Sequence, residues 1–457
     1  MKRFVWMAPV VAIVATGCAG PRATTTPAPR PLGGDLPSFH ASQGKAEQAV
    51  TDETPAAQEV ISLDVALSLA VMRNPELAAF SYDVRAAEAR VLQARKFPNP
   101  ELEVEIEEFD RGGEGFDSAE TSIALGQLIE LGGKRRWRTR MAEAEGELAG
   151  WDYESKRLSV YAETAKRFMT VVAAQRRLDL ARSAAELAEK TAHAVGERVK
   201  GGKEPPLQAS KASAELELAR LEALQAETML SVKRKMLAAM WGSGAPHFQR
   251  AEGDLNGVLA SVPSMEALRA RLPANPELAR WDAALRRLQA ELSAEKAERI
   301  PDLEARIGVQ RFEEDGSDAL AFGIGVPLPL FDRNQGNIAA ARHELAKARA
   351  KRRAAETTLA TELAEAHADL TSAHRRALAL RSKVVPAMEE AFNAAHAGYT
   401  QGKFGFLDML DAQRGLFEAT GELVDALADY HAALAEIQRL TGTGIEELVR
   451  TETKETR

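Results

Sequence analysis

A long-period internal repeat limits the folds open to this chain more than any other feature. Asn-Pro-Glu-Leu at Asn74–Leu77 returns at Asn275–Leu278, the segment ELEVEIE after Pro100 has a counterpart in DLEARIGVQ after Pro301, and the Gly202-Lys203 turn returns at Gly402-Lys403. Three anchors at nearly one offset mean a unit of about 200 residues written twice, a pseudo-twofold plan rather than a solenoid of roughly 20- to 50-residue repeats. The sharper turn is GKFGFLDMLDAQ, Gly402–Gln413, which sits between two heptad runs; GKEPPLQASKAS from Gly202 is its weaker copy.

Each unit reads as the same series of elements. A short helix from Ser62 to about Arg73 precedes a second helix with Pro75 at its first position, where the missing N–H costs nothing. Pro98-Asn99-Pro100 stops that helix near Phe97. Leu102, Val104 and Ile106 then alternate with Glu101, Glu103, Glu105 and Glu107, a period of two that predicts a strand, and a second strand is expected from about Ala119 to Leu128. From Gly133 to Lys200 there is no proline, and apolar residues from Val171 to Val199 step by three and four. A helix of that length, about 67 residues, is roughly 100 Å long and packs as a coiled coil. Pro205-Pro206 turn the chain into a returning helix, Leu207 to Trp241, about half as long. The other half of the hairpin must come from the helix at Pro75, stacked end to end with it. The second copy predicts a helix from Ser264, a helix from Pro276 to Arg299, strands Asp302–Phe312 and Ala319–Val326, and a long helix from Gln335 to Tyr399 with a kink near Pro386. A final helix carries Leu416, Leu423, Leu427, Tyr430, Leu434 and Ile437 at heptad spacing.

The ends have their own character. Lys2 and Arg3, an apolar run from Phe4 to Val14 and small residues before Cys18 mark a secretory leader, too short for a membrane span. Small residues leading into that cysteine resemble a bacterial lipobox, which implies that Cys18 is acylated, with Ala19 resembling an outer-membrane address. Cys18 is the only cysteine, so its acylation would leave no thiol for a disulfide, a metal site or catalysis. Residues 18–60, rich in Pro, Thr, Ala and Gly, read as a flexible tether after a leader of residues 1–17. The repeats then span 61–260 and 261–445, and a charged tail follows at 446–457. Loss of Lys2 and Arg3 would leave 57 of the 59 basic residues against 67 acidic ones, moving the net charge from −8 to −10, a balance that argues against nucleic acid as a partner.

After the leader no apolar run suits a membrane helix, so any crossing must use strands. Each predicted strand has the length and one-sided pattern of a transmembrane β-strand. Four such strands cannot close, and open edges in hydrocarbon leave backbone groups unpaired at several kcal/mol each. Other copies must complete the sheet: two give eight strands and a filled bore, three give twelve and room for a passage. A soluble sheet on a helical bundle stands as the alternative.

The duplicated halves, the NPEL openings, LGGKRR after the second strand, VPLPLFDRNQG after the fourth and YxxGK…LDMLDAQ at the turn together resemble the TolC-type outer-membrane efflux channels. The resemblance runs from residue 60 to 445, and PLPLFDRNQG is similar to the cobalt–zinc–cadmium branch. It implies a mainly α fold with β: a duplicated unit of long coiled-coil helices plus four transmembrane strands, whose homotrimer forms a 12-stranded β-barrel continuous with a periplasmic α-barrel. It also implies outer-membrane lipids, a periplasmic adaptor (membrane fusion protein) and an inner-membrane resistance-nodulation-division (RND) transporter as partners, with no cofactor and no enzymatic step. The expected function is the exit duct of a heavy-metal efflux system. A drug or type I secretion duct of the same fold and a non-conducting adaptor or tethering lipoprotein are the alternatives.

Candidate site residues follow. Asp408 and Asp411, three apart on one helical face, would ring a threefold axis and focus cations, although carboxylates at a helix start also complement its dipole. Tyr399 matches the family's gating tyrosine, and Phe404 beside Lys403 stands where drug-exporting members carry an arginine. The first copy has Gln208 at the aspartate position, so no second acidic ring is expected. Gly202, Leu207, Gly402 and Leu407 mark the hairpin tips where the family's adaptor docks. Glu101, Glu103, Glu105 and Glu107 should face a barrel lumen. His367, His374 and His431 lie scattered on helices with no paired spacing, and no metal site is expected.

Overall fold

In the computed structural model, which describes residues 27–42, 58–107 and 119–444, both copies follow one plan. The first contains β1 (Gln58–Ser62), α1 (Leu63–Arg73), α2 (Pro75–Ala94), β2 (Glu101–Glu107), β3 (Glu120–Ile129), α3 (Lys134–Lys200), α4 (Pro206–Ala238), a 3-10 turn and β4 (Phe248–Glu252). The second contains α5 (Met265–Arg271), α6 (Pro276–Ala297), β5 (Leu303–Phe312), β6 (Ser317–Gly325), α7 (Gln335–Ala379), a π-helical turn (Leu380–Val384), α8 (Val385–Thr400) and α9 (Phe406–Thr441). An offset of 201 residues relates Pro75 to Pro276 and Lys134 to Gln335. The copies even enter their long helices alike, through left-handed backbone at Gly133 (φ 74°) and at Asn334 (φ 56°). Asparagine is one of the few other residues that accept this region.

The repeated Asn-Pro-Glu-Leu is a helix splice. Asn74 Oδ1 accepts from the Leu77 amide at 2.9 Å, capping α2, while its Nδ2 donates to the Met240 carbonyl at 2.8 Å just beyond α4. Asn275 does the same in the second copy, accepting from the Glu277 amide at 2.7 Å and donating to Leu440 at the end of α9 at 2.8 Å. Both asparagines are buried. One side chain thus satisfies an orphan donor of one helix and an orphan acceptor of the next, which joins α2 to α4 and α6 to α9 end to end as the helix lengths required.

The helical core runs along these seams. Leu77, Phe168, Val171, Leu237 and Leu427 are buried in the main cluster, and Leu363, Leu370, Tyr430 and Ile437 in a second. The irregularity expected at Pro386 is the π turn at Leu380–Val384, one turn upstream. Its wider spacing accommodates a proline ring that would press on the carbonyl four residues back.

Two features depart from the sequence reading. β1 and β4 form a parallel two-stranded sheet that the sequence does not announce. Residues 27–42, expected within a flexible tether, lie on the helices. The Leu32 amide donates to the Gly442 carbonyl at 3.0 Å, and the Ala41 amide donates to Ser81 Oγ at 2.7 Å. Arg157, 1 % exposed, holds this strap by donating to the carbonyls of Arg30, Leu32 and Gly33 while paired with Glu154. Gly33 (φ 60°) passes so close to the Tyr161 ring that a Cβ would sit 2.8 Å from it.

The other sheet is antiparallel in the order β2-β3-β5-β6, with β2 and β6 as open edges. Its pairing joins the copies: Glu120 opposes Phe312 and Ile129 opposes Leu303 along the β3–β5 seam.

Candidate functional site on the sheet and the hairpin ends

Register gives the sheet two unlike faces. Leu102, Val104 and Ile106 lie beside Leu125 and Ile123, these beside Ile307 and Val309, and these beside Phe322 and Leu320. Every one of these side chains is exposed, Phe322 at 74 % and Leu320 at 71 %. A contiguous apolar face of this kind marks a membrane or protein contact. The opposite face carries Glu101, Glu103, Glu105 and Glu107, all exposed, next to Glu120, Ser122, Ala124 and Gly126. Arg306 crosses it, 2.8 Å from Glu103 and 2.9 Å from Glu304. The expected glutamates therefore share one polar face. The sequence reading overlooked Arg306, although its alternation with Ile307 in DLEARIGVQ was the available signal.

At the far end the two helical hairpins meet. Gly202 (φ 69°) and Gly402 (φ 74°) turn the chain with no atom within 4 Å of a built Cβ, and Leu207 and Leu407 stand exposed beside them. Tyr399 is buried with Val195 and Ala212 of the first hairpin and Phe406, Met409 and Leu410 of the second. Arg198 lies over its ring at 4.9 Å and pairs with Glu204 at 3.5 Å. Burial pushes the Tyr399 phenol pKa up, and Glu204 adds to this while Arg198 opposes it. Its hydroxyl has no hydrogen-bond partner among the described residues. The Phe404 ring fills the space over Gly398, where a Cβ would approach it to 2.1 Å. Asp408 Oδ2 accepts from the Gly405 amide at 2.9 Å, so this carboxylate caps α9 as the dipole argument allowed. Asp408, Asp411 and Lys403 are exposed. Gln208 Oε1 is buried without a partner among the described residues. The Arg198–Glu204 pair beneath Tyr399 had no recognisable spacing in the sequence.

The three histidines have a structural task. Nε2 of His367, His374 and His431 lies 2.9 to 3.0 Å from the carbonyls of Pro263, Leu259 and Leu255, all in the connector between the repeats. Burial lowers the His431 pKa. Among the described residues no group of three or more His, Cys, Asp and Glu could hold a metal, and no helix is long and apolar enough to cross a membrane. Cys18 lies outside the described residues.

Known proteins resemble this chain in sequence and in fold. The family model described as outer membrane efflux protein matches residues 66–243 and 267–443, one segment in each repeat. The chain is 37 % identical over 383 residues to the cobalt-zinc-cadmium resistance protein CzcC of Cupriavidus metallidurans, covering 84 % of this chain and 90 % of that protein. It is 26 % identical to the nickel-cobalt-cadmium resistance protein NccC of Alcaligenes xylosoxydans xylosoxydans, over 65 % of this chain and 67 % of that one. Among solved structures, CusC superposes with a TM-score of 0.72 at 17 % identity, covering 90 % of this chain and 99 % of that one. The Neisseria gonorrhoeae MtrE outer membrane channel also gives 0.72, at 21 % identity, covering 84 % and 89 %. At these identities the two structures speak for the fold alone.

Proposed function

The chain belongs to the outer membrane efflux protein family, and on that premise we propose that three copies close into an outer-membrane exit duct for heavy-metal cations. The observation that carries the reading is a one-sided four-stranded sheet with both edges open. In hydrocarbon each unpaired edge group costs several kcal/mol, so β6 of one copy must pair with β2 of the next. The repeat offset supplies the register. Moving the β3–β5 pairs by 201 residues sets Gly325, the last residue of β6, opposite Glu107 and carries the pairing into the chain that follows β6, with Val326 opposite Ile106, Leu328 opposite Val104 and Leu330 opposite Leu102. These three pairs match apolar with apolar, and the glutamate face turns inward. Twelve strands leave a passage where eight would fill.

The same closure brings three helical tips to one axis, where Asp408 and Asp411 ring the periplasmic aperture and Tyr399 with Lys403 forms its gate. Gly202, Leu207, Gly402 and Leu407 present the tips to a periplasmic adaptor, which links the duct to an inner-membrane resistance-nodulation-division transporter. Cys18 carries a lipid anchor in the outer membrane. Cargo is assigned from the relatives, which are named for resistance to cobalt, zinc, cadmium and nickel. The duct is passive, with energy supplied by the transporter.

The test is growth of a deletion strain and its complemented parent on zinc, cobalt, cadmium, nickel and a drug panel, with cellular metal measured alongside. Metal-selective sensitivity with metal accumulation is expected. Drug sensitivity alone would move the duct to a multidrug system.

A further inference from the structure

The stretch Lys134–Arg140 carries five basic residues in seven, and the duct reading gives most of them no task. Two are used within the fold: Lys134 pairs with Glu298 at 3.1 Å and Asp302 at 2.9 Å, and Arg138 pairs with Glu130 at 2.6 Å. Arg135, Arg136 and Arg140 have no carboxylate partner among the described residues. They stack on aromatic rings instead, Arg135 over Phe97 at 3.5 Å, Arg136 and Arg140 over Trp137 at 5.6 and 5.0 Å. These three guanidiniums line a cleft of about 860 Å³ between the start of α3 and the Phe97–Pro100 bend. Its acids are already taken, Glu130 by Arg138 and Glu143 by Arg95 at 2.7 Å, which leaves the cleft positive.

Its place on the sheet indicates what it meets. On the sheet side it is lined by Gln127 and Ile129 of β3 and by Glu130 just after it. Gln127 and Ile129 are in phase with Ile123 and Leu125, so the cleft opens at the helical margin of the apolar face. The second repeat does without it: the positions equivalent to Arg135, Arg136 and Arg140 are Gly336, Asn337 and Ala341, and those equivalent to Phe97 and Trp137 are Glu298 and Ile338. Starting a long helix under a strand therefore does not require the cluster.

We propose that this cleft binds the phosphate of an anionic phospholipid in the leaflet nearest the helices. Guanidinium forks match phosphate oxygens in pairs. Aromatic residues and basic clusters at the edge of an apolar band are the usual anchors for headgroups. The acyl chains would run along Ile129, Leu125 and Ile123. The assignment rests on the membrane reading of the sheet given above.

Full-length protein, reconstituted in vesicles and then released in mild detergent, is analysed by native mass spectrometry for retained phosphatidylglycerol and phosphatidylcholine. The parent is expected to retain phosphatidylglycerol at least tenfold over phosphatidylcholine. Arg135→Gln/Arg136→Gln/Arg140→Gln should lose that preference while inserting and forming the same oligomer on a gel. The triple lysine variant, a control for folding, should keep part of it because charge remains and the paired geometry is lost. Undiminished preference in the glutamine variant would overturn the proposal, as would displacement of the lipid by millimolar inorganic phosphate, which would make this a free-phosphate site. A parent that inserts but shows no preference refutes the site alone, whereas a parent that fails to enter vesicles of either composition refutes the membrane reading with it.

Discussion

Replacing Phe322 by arginine tests which face of the sheet meets lipid. Phe322 lies in β6 opposite Ile307, in the middle row of the apolar face, and is 74 % exposed in the single chain. An arginine on the lipid side of a transmembrane barrel near the midplane costs about 2–4 kcal/mol, roughly a 30- to 700-fold shift toward the unfolded state for each chain. Ala321→Arg is the matched control. It is the adjacent residue in the same strand, opposite Gly308 on the glutamate face, which the account turns toward the lumen. Urea unfolding of vesicle-inserted protein reads the difference, with the heat-modifiable oligomer band in outer-membrane fractions as a second readout. Phe322→Arg should lower the midpoint strongly and deplete the band, and Ala321→Arg should change little. If Phe322→Arg were as stable as its parent and Ala321→Arg unstable, the faces would be assigned the wrong way round. If neither mattered, the sheet would be facing water.

Asn74→Ala and Asn275→Ala each remove a cap and a buried carbonyl's partner, so each should cost about 1–3 kcal/mol in chemical denaturation, with similar values because the two sites are copies. Arg157→Met leaves Glu154 charged and buried, a loss of about 3–5 kcal/mol, and should expose the strap at residues 27–42 to limited proteolysis. Glu154→Leu/Arg157→Met should recover stability but not strap protection. Asp408→Ala with Asp411→Ala should weaken divalent-cation block and raise single-channel conductance in a planar bilayer. Unchanged traces would remove the aperture role.

The long helices were legible because heptad spacing is local and Gly and Pro mark their ends: α1 begins after Ser62, α2 at Pro75 and α3 ends at Lys200 as the pattern indicates. The strand pairs were legible for the same reason, since alternation of Glu101 to Glu107 with Leu102 to Ile106 is a property of the segment itself. What escaped depends on contacts distant in sequence. QEVIS at β1 is too short to show a period and becomes a strand only beside β4, nearly 200 residues on. Residues 27–42 have the Pro- and Gly-rich composition of a tether, yet their carbonyls find Arg157 and their amides find Gly442 and Ser81. At the hairpin ends Tyr399, Asp408 and Asp411 stood out by motif, whereas Arg198 and Glu204 acquire meaning only when the two tips come together. The histidines invited a metal reading that spacing alone spoke against; their partners are backbone carbonyls.

The central claim is that copies of the chain close between β2 and the chain continuing β6, residues 326–330, in the register inherited from β3 and β5. With Cys18 acylated, introduced thiols would be the only free ones, so Val104→Cys/Leu328→Cys can be oxidised in native outer membranes and read on a non-reducing gel. The account predicts a covalent ladder ending at the trimer, and little of it for Val104→Cys/Ser317→Cys or for either single variant. Efficient cross-linking of the Ser317 pair, a ladder ending at the dimer, or no cross-link from a folded protein would contradict it.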